Sequence, residues 1–179
     1  MKNIQFKTLT VTFFLFLSQY NFGQSAEEYY QKGLNYVKSN DYTNAIISYS
    51  MAITKNPYEW HYYQSRSAIQ FIITKNYVNS LSDINMALKL KPKHENSECL
   101  SLRARILIEL REYQLAIDDL TYIIDYFPNF MEVKFGGIHL ERGKAYLYSG
   151  NQEKACEDFD ESLKRRMSDA KKYIDDFCK

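Results

Sequence analysis

Three histidines are the side chains of this sequence best suited to acid–base or metal chemistry. His61, His94 and His139 fall in different parts of the chain, and none has a cysteine or carboxylate at the spacing of a metal ligand. The sequence also contains no Gly-rich phosphate loop and no nucleophile elbow. We therefore expect no catalytic residue, no metal site and no cofactor, and we favour a packing role for His139 over a catalytic one.

Adjacent carboxylates are the other candidates for acid–base work. The pairs are Asp118-Asp119, Glu157-Asp158 and Asp175-Asp176. Neighbouring side chains on a helix diverge by about 100°, so two such carboxylates do not converge on one reacting group. We expect these pairs to lie on the solvated surface, and we expect a protein that is not an enzyme and has no small-molecule substrate.

The composition indicates packed helices. The chain has 16 Tyr and 11 Phe but only six Gly and three Pro, which favours helices joined through large side chains over a turn-rich β domain. The formal net charge is +1, and removing Lys2 and Lys7 leaves 21 basic and 22 acidic residues, a charge of −1. Such a balance gives no electrostatic reason to expect nucleic acid or an anionic membrane as the ligand.

The N-terminus has the pattern of an export signal. Lys2 and Lys7 flank the start of an apolar run, residues 9–17, that is too short to span a bilayer core of about 30 Å. We expect residues 1–23 to be a signal peptide cleaved near Gly23-Gln24, and the protein to be periplasmic or secreted. An uncleaved anchor or a buried helix is the alternative, and membrane association stays open.

A repeat organises the rest of the chain. One set of residues, with spacings of four, three and five, returns at intervals of 35, 36 and 39 residues. The four sets are Ala45, Tyr49, Ala52, Pro57; Ser80, Ile84, Ala87, Pro92; Ala116, Leu120, Ile123, Pro128; and Ala155, Phe159, Ser162, Met167. Upstream of each set lies a small residue preceded by a basic one: Lys32-Gly33, Arg66-Ser67, Arg103-Ala104 and Arg142-Gly143. The distance is twelve residues in three units and thirteen in the second, which places one inserted residue around Ile73-Thr74.

These residue types predict helical hairpins. Two helices approach closely only where a small side chain faces the contact, and the prolines end the second helix of a pair. Residues 131–135 are extra, and we interpret the following Gly136-Gly137 as the break before the fourth pair; a functional hinge is the alternative.

Each unit resembles a tetratricopeptide repeat (TPR), and the resemblance covers residues 26–167. It implies an all-α, right-handed solenoid of four TPR-like hairpins, at 26–59, 60–93, 97–130 and 136–167. Residues 168–179 are then expected to form a C-terminal capping helix with Ser168 as its N-cap, because the end of a solenoid needs a lid.

Two cysteines are placed to meet at the end of the array. Cys156 lies eleven residues before Met167 and Cys178 eleven residues after it, so two antiparallel helices that turn there bring the thiols side by side. The spacing predicts a Cys156–Cys178 disulfide, with two buried free thiols as the alternative. Cys99 is expected to be a small packed side chain.

The resemblance also implies a function and a site. TPR proteins hold protein or peptide partners on the concave face made by their first helices. On that face we expect partner contacts from Tyr30, Leu34, Lys38, Gln64, Phe71, Arg105, Ile108, Lys144 and Tyr148. The TPR subtype that clamps chaperone C-termini has Lys and Asn where this chain has Tyr30 and Leu34, which argues against that subtype. We therefore expect an exported scaffold for a protein or peptide; the alternative is a structural subunit or assembly factor of a cell-envelope complex.

Overall fold

The computed structural model describes residues 24–91 and 95–178, and every regular element within these ranges is a helix. The helices are α1 Ala26–Lys38, α2 Tyr42–Lys55, α3 Trp60–Ile72, α4 Tyr77–Leu90, α5 Ser97–Glu109, α6 Tyr113–Tyr126, α7 Met131–Lys134, α8 Gly137–Tyr148, α9 Gln152–Lys164 and α10 Ala170–Phe177. They stack as antiparallel hairpins, which confirms the all-α solenoid. The predicted signal peptide, the helix stop at Pro92 and His94 lie outside the described residues.

Polar side chains cap the N-termini of five of these helices. Ser25 and Glu28 form a capping box at α1, and four further helices start on an Asp or Asn side chain that accepts a backbone N–H. The turn inside a hairpin has three residues at 39–41, 110–112 and 149–151 but four at 73–76. This confirms the inserted residue in the second unit.

Small residues let the two helices of a hairpin touch. A methyl group added at Gly33 would lie 2.4 Å from Tyr49 Cε1, and one at Gly143 would lie 2.6 Å from Phe159 Cε1. In the middle units the same two positions hold Ser67 with Ile84 and Ala104 with Leu120. Glycine therefore occurs where the facing side chain is aromatic, and a slightly larger residue occurs where it is aliphatic, so that the summed volume is nearly conserved.

Replacing Gly143 by alanine is expected to lower the free energy of unfolding by about 1–3 kcal/mol, because the added methyl group overlaps the buried Phe159 ring. The sign of this change in the free energy of unfolding is informative, because replacing glycine by alanine elsewhere in a helix stabilises the protein by about 1 kcal/mol. Adding Phe159→Leu recreates the pairing of the third hairpin. Urea unfolding of the two single variants and the double variant should show that the double loses less than the sum; simple additivity would refute the packing explanation.

The fourth hairpin departs from the others at both ends. Residues 131–134 form the short helix α7, and Gly136 takes a left-handed φ of 83° immediately before α8 begins. After α9 the chain turns again and α10 begins at Ala170 with Asp169 as N-cap, so the prediction of Ser168 as N-cap is wrong by one residue. Two hydrogen bonds form the turn before α10: Ala170 N–H donates to Met167 O over 3.2 Å, and Lys171 N–H donates to Ser168 O over 3.0 Å. Tyr173 stacks on Phe159 with ring centroids 4.9 Å apart, so α10 covers the last hairpin.

Among the described residues, none of the helices is both long enough and apolar enough to traverse a lipid bilayer.

Candidate functional site

The basic residue before each small position is part of a buried ion pair in three of the four hairpins. Arg66 holds Asp83, Arg103 holds Asp119 and Arg142 holds Asp158, each through Nε and a terminal nitrogen at 2.7–2.8 Å. The three aspartates are 6%, 3% and 4% exposed. Each pair ties the first helix of a hairpin to its second helix by two parallel hydrogen bonds.

The same arginines also reach the preceding hairpin. In each arginine the remaining terminal nitrogen, Nη1, donates to a side chain of the preceding hairpin. Arg66 donates to Ser50 Oγ at 2.8 Å. Arg103 donates to Asn85 Oδ1 at 3.2 Å, and Arg142 donates to Thr121 Oγ1 at 3.1 Å. The acceptor is in each case the residue after the large packing residue of the earlier second helix. One guanidinium thus joins three helices, and the three arginines connect all four hairpins.

Two of these aspartates correct a prediction. Asp119 and Asp158 are buried and paired, not solvated, whereas their neighbours Asp118 and Glu157 are exposed as expected. Burial alone would raise the pKa of Asp158, but hydrogen bonds from Arg142 and His139 outweigh burial and hold that pKa below its ordinary value.

His139 is buried beside this pair. Its Nδ1 lies 3.3 Å from Asp158 Oδ1 inside the fourth hairpin. This is a packing position, in agreement with the structural role expected of His139. In the described residues, no three His, Cys, Asp or Glu side chains are grouped to hold a metal ion.

The inner face at the N-terminal end is built around Tyr30. Its ring lies 4.8 Å from His61, 5.1 Å from Tyr62 and 5.5 Å from Tyr49, measured between centroids. Its hydroxyl lies 3.3 Å from Ser65 Oγ on α3. Tyr30 is half-buried, so most of its ring joins the first two hairpins and only part of it faces the groove.

The middle of the inner face carries a cation over an aromatic ring. The Arg105 guanidinium of α5 lies 5.2 Å from the centroid of the Phe71 ring on α3. Within residues 24–91 and 95–178 the guanidinium has no carboxylate partner, and both side chains are partly exposed. Arg105 and Phe71, two of the predicted partner contacts, are therefore adjacent and open to a ligand.

The C-terminal end of this face combines a lysine with tyrosines. Lys144 pairs with Glu141 at 3.1 Å and lies 5.6 Å from the Tyr173 ring of the capping helix. Tyr148 is 51% exposed and lies 5.9 Å from Tyr113. The capping helix thus extends the inner face beyond the fourth hairpin, a contribution that the repeat pattern did not indicate.

One predicted groove residue is placed elsewhere. Ile108 is only 9% exposed and belongs to the central core cluster with Leu107 and Ala145, so the structure corrects its assignment to the ligand face. Residues of α6 and α8, among them Ala145, belong to the same cluster. The other three predicted positions stay partly or fully accessible: Leu34, Lys38 and Gln64.

The two C-terminal cysteines are bonded in the structure. Their sulfurs are 2.02 Å apart and their Cα atoms 5.6 Å apart, which joins α9 to the end of α10. Cys99 is a buried free thiol on α5, and burial raises its pKa to about 12.

Comparison with known proteins agrees with this architecture. The sequence profile described as "Tetratricopeptide repeat" matches residues 26–57 and 137–174. The DnaJ homolog subfamily C member 7 homolog of Dictyostelium discoideum is 25% identical over 173 residues, covering 83% of this chain and 31% of the relative. Serine/threonine-protein phosphatase 5 of Rattus norvegicus is 32% identical over 109 residues, covering 61% of this chain and 21% of the relative. The chain thus spans less than a third of these relatives.

Solved structures share the fold. MamA from Desulfovibrio magneticus superposes with a TM-score of 0.71 at 15% identity, covering 80% of this chain and 76% of that one. The first TPR of Spaghetti bound to an HSP90 peptide superposes with a TM-score of 0.56 at 25% identity, covering 62% and 85%. Residues 26–57 and 137–174 thus match the tetratricopeptide-repeat profile, and the four hairpins of the chain share the fold of solved tetratricopeptide-repeat structures.

Proposed function

We propose that this chain is an exported, non-catalytic scaffold that holds a protein or peptide partner in the groove lined by its first helices. Tetratricopeptide repeats are protein-interaction modules, and a structural neighbour is bound to a peptide. The apolar run at residues 9–17 and the Cys156–Cys178 pairing support export, since disulfides persist in oxidising compartments. N-terminal sequencing of the protein from a cell-envelope fraction tests the cleavage near Gly23.

The observation that carries the proposal is Arg105 above Phe71. An arginine that lies over an aromatic ring is attracted to its face while its outer N–H groups stay free to donate. Arginine and aromatic residues at the centre of an interface are the residue types that dominate binding energy. A peptide carboxylate on Arg105 with an apolar neighbour near Phe71 would use both groups.

The chaperone-tail clamp is not the mode we propose. In this chain Tyr30 and Leu34 stand where that clamp has Lys and Asn, and the Tyr30 ring is occupied by contacts with His61 and Tyr62. The first hairpin therefore offers a partner an aromatic surface and no clamp cation at these two positions.

A photoreactive phenylalanine analogue placed at position 71 should crosslink a defined partner in cells, whereas the analogue at Leu115, which is 55% exposed on α6, should not. Adding Arg105→Glu should reduce the position-71 product about tenfold, the effect expected for a central arginine. Lys89→Glu, the same charge change on an exposed residue of α4, is the matched control and should leave it intact.

The outcome separates the proposal from its alternative. Crosslinking that comes only from position 115 would show a partner on the outer face and would favour the structural subunit. The exposed apolar side chains of second helices, Ile47 at 54% and Val78 at 70%, are the observation that keeps this alternative in view. Size-exclusion chromatography with light scattering adds to the decision, because a stable free monomer argues against an obligate subunit.

A further inference from the structure

The inserted residues before the fourth hairpin build a pocket of their own. Helix α7 and the residue after it form one wall, and the last residues of α9 with the turn that follows form the other. The cavity has a volume of about 430 Å³ and is lined by Met131, Lys134, Phe135, Lys164, Arg165 and Arg166. It lies among helix ends and shares no lining residue with the groove positions named above.

Four of the six lining residues are cations. Arg165 is engaged by Glu161 at 2.8 Å, but Lys134, Lys164 and Arg166 have no carboxylate partner in the part of the chain that the structure describes. Like charges gathered around one cavity repel each other. The partial negative charge at the end of α9 accounts for basic residues at 164 and 165, but not for a lysine that converges on them from α7.

The remaining lining residues are large, apolar and exposed. Met131 is 60% exposed and Phe135 is 49% exposed. The walls are fixed to each other, because Ser162 Oγ donates to Gly136 O at 2.8 Å and Arg165 Nη1 reaches Val133 O at 3.5 Å. A cavity that is already formed loses little freedom when a ligand enters it.

We propose that this pocket binds an acidic peptide segment that carries one large apolar side chain. Carboxylates of the segment pair with Lys134, Lys164 and Arg166, and the apolar side chain lies against Met131 and Phe135. These cations form a local excess of positive charge on a nearly neutral chain, and an anionic ligand is electrostatically complementary to that excess. The shallow depression between the two walls has room for a single side chain of such a segment.

The probe is a fluorescein-labelled, C-terminally amidated Glu-Glu-Asp-Phe-Glu-Glu peptide, with Gln-Gln-Asn-Phe-Gln-Gln as its neutral counterpart. Fluorescence anisotropy with the purified protein should show the acidic peptide binding about tenfold more tightly, with affinity falling as salt rises. Lys164→Glu with Arg166→Glu should lower that affinity about tenfold. The matched pair Lys55→Glu with Lys89→Glu, two exposed residues on α2 and α4, should change it less than about twofold.

Equal affinity for the two peptides, or an equal loss in the matched control pair, would overturn the proposal. Loss of binding on Arg105→Glu alone would move the peptide to the groove and would overturn it too. If the acidic peptide does not bind while phosphatidylglycerol vesicles do, in a way that needs Lys164 and Arg166, the site faces lipid and the proposal is wrong. Circular dichroism checks the fold, and Lys164→Gln with Arg166→Gln replaces the reversal pair if that pair fails to fold.

Discussion

Replacing Arg103 by methionine is expected to lower the free energy of unfolding by about 3–5 kcal/mol, because the buried carboxylate of Asp119 then loses the charge and the two hydrogen bonds of the guanidinium. The carboxylate is 3% exposed and receives two bonds of 2.7 Å from this arginine. The loss includes the bond to Asn85 on the preceding hairpin, so both pairing and stacking weaken. Urea unfolding followed by circular dichroism measures the change.

A double variant separates the buried charge from the lost packing. Arg103→Met with Asp119→Leu removes both charges, and such replacements of a buried pair are commonly neutral or stabilising. We therefore expect the double variant to recover most of the loss. Lys89→Met, an exposed position, is the control and should stay within about 0.5 kcal/mol of the parent protein. A single variant as stable as the parent would show that the aspartate is solvated.

The first hairpin shows what happens where the pair is missing. Lys32 and Ser48 occupy the positions that hold arginine and aspartate in the other three hairpins. Lysine has no planar fork for two parallel hydrogen bonds, and serine carries no charge. The first hairpin therefore lacks both members of the arginine–aspartate pair. Ser50 in the same helix nevertheless accepts from Arg66 of the second hairpin. The first hairpin is thus bound to its neighbour although it lacks an internal pair.

The fold was predictable because packing imposes periodic residue types. Close helix contacts need small side chains, and these recur at a spacing that a sequence displays directly. The inserted residue near Ile73 could be located for the same reason, since one extra position breaks the period.

The buried ion pairs were missed although a signal was present. Each aspartate directly precedes the large packing residue of its hairpin, and each partner arginine directly precedes the small one. As sequence neighbours, Asp118 and Asp119 resemble a solvated pair of carboxylates. Only Asp119, however, occupies a repeat position that also holds an aspartate in the second and fourth hairpins. Comparing the same position across hairpins would have distinguished the two carboxylates.

The groove was only partly predictable, because helical spacing predicts the direction in which a side chain points but not the distance to the neighbouring helix. Ile108 was expected on the inner side of α5, but it lies in a core cluster with residues of α6 and α8. The contribution of Tyr173 depends on where the capping helix lies, which no repeat specifies. Single departures from the period, including the 131–135 insertion and its pocket, have no second copy in the chain from which their geometry could be inferred.

Removing the Cys156–Cys178 bridge is expected to lower the free energy of unfolding by about 3 kcal/mol, the loop-closure value for a separation of this size. The two cysteines are 22 residues apart in the sequence. The double variant Cys156→Ser with Cys178→Ser, or reduction of the parent protein, makes the change. A non-reducing peptide map of protein purified without reductant shows directly whether Cys156 and Cys178 are bonded, and two free thiols in that map would refute the bridge.

The loss should be concentrated in the capping helix. An eight-residue helix is too short to be stable alone, so α10 depends on the bridge and on Tyr173 stacked over Phe159. Hydrogen exchange at residues 170–178 should therefore accelerate more than exchange in α5, and uniform acceleration would contradict the lid role. In the reduced native protein, alkylation should label Cys156 and Cys178 and spare Cys99, because the Cys99 thiol is buried and its pKa is raised to about 12. Since uncovering α9 exposes apolar surface at the end of the solenoid, the redox state of the compartment would decide whether this end of the inner face is intact.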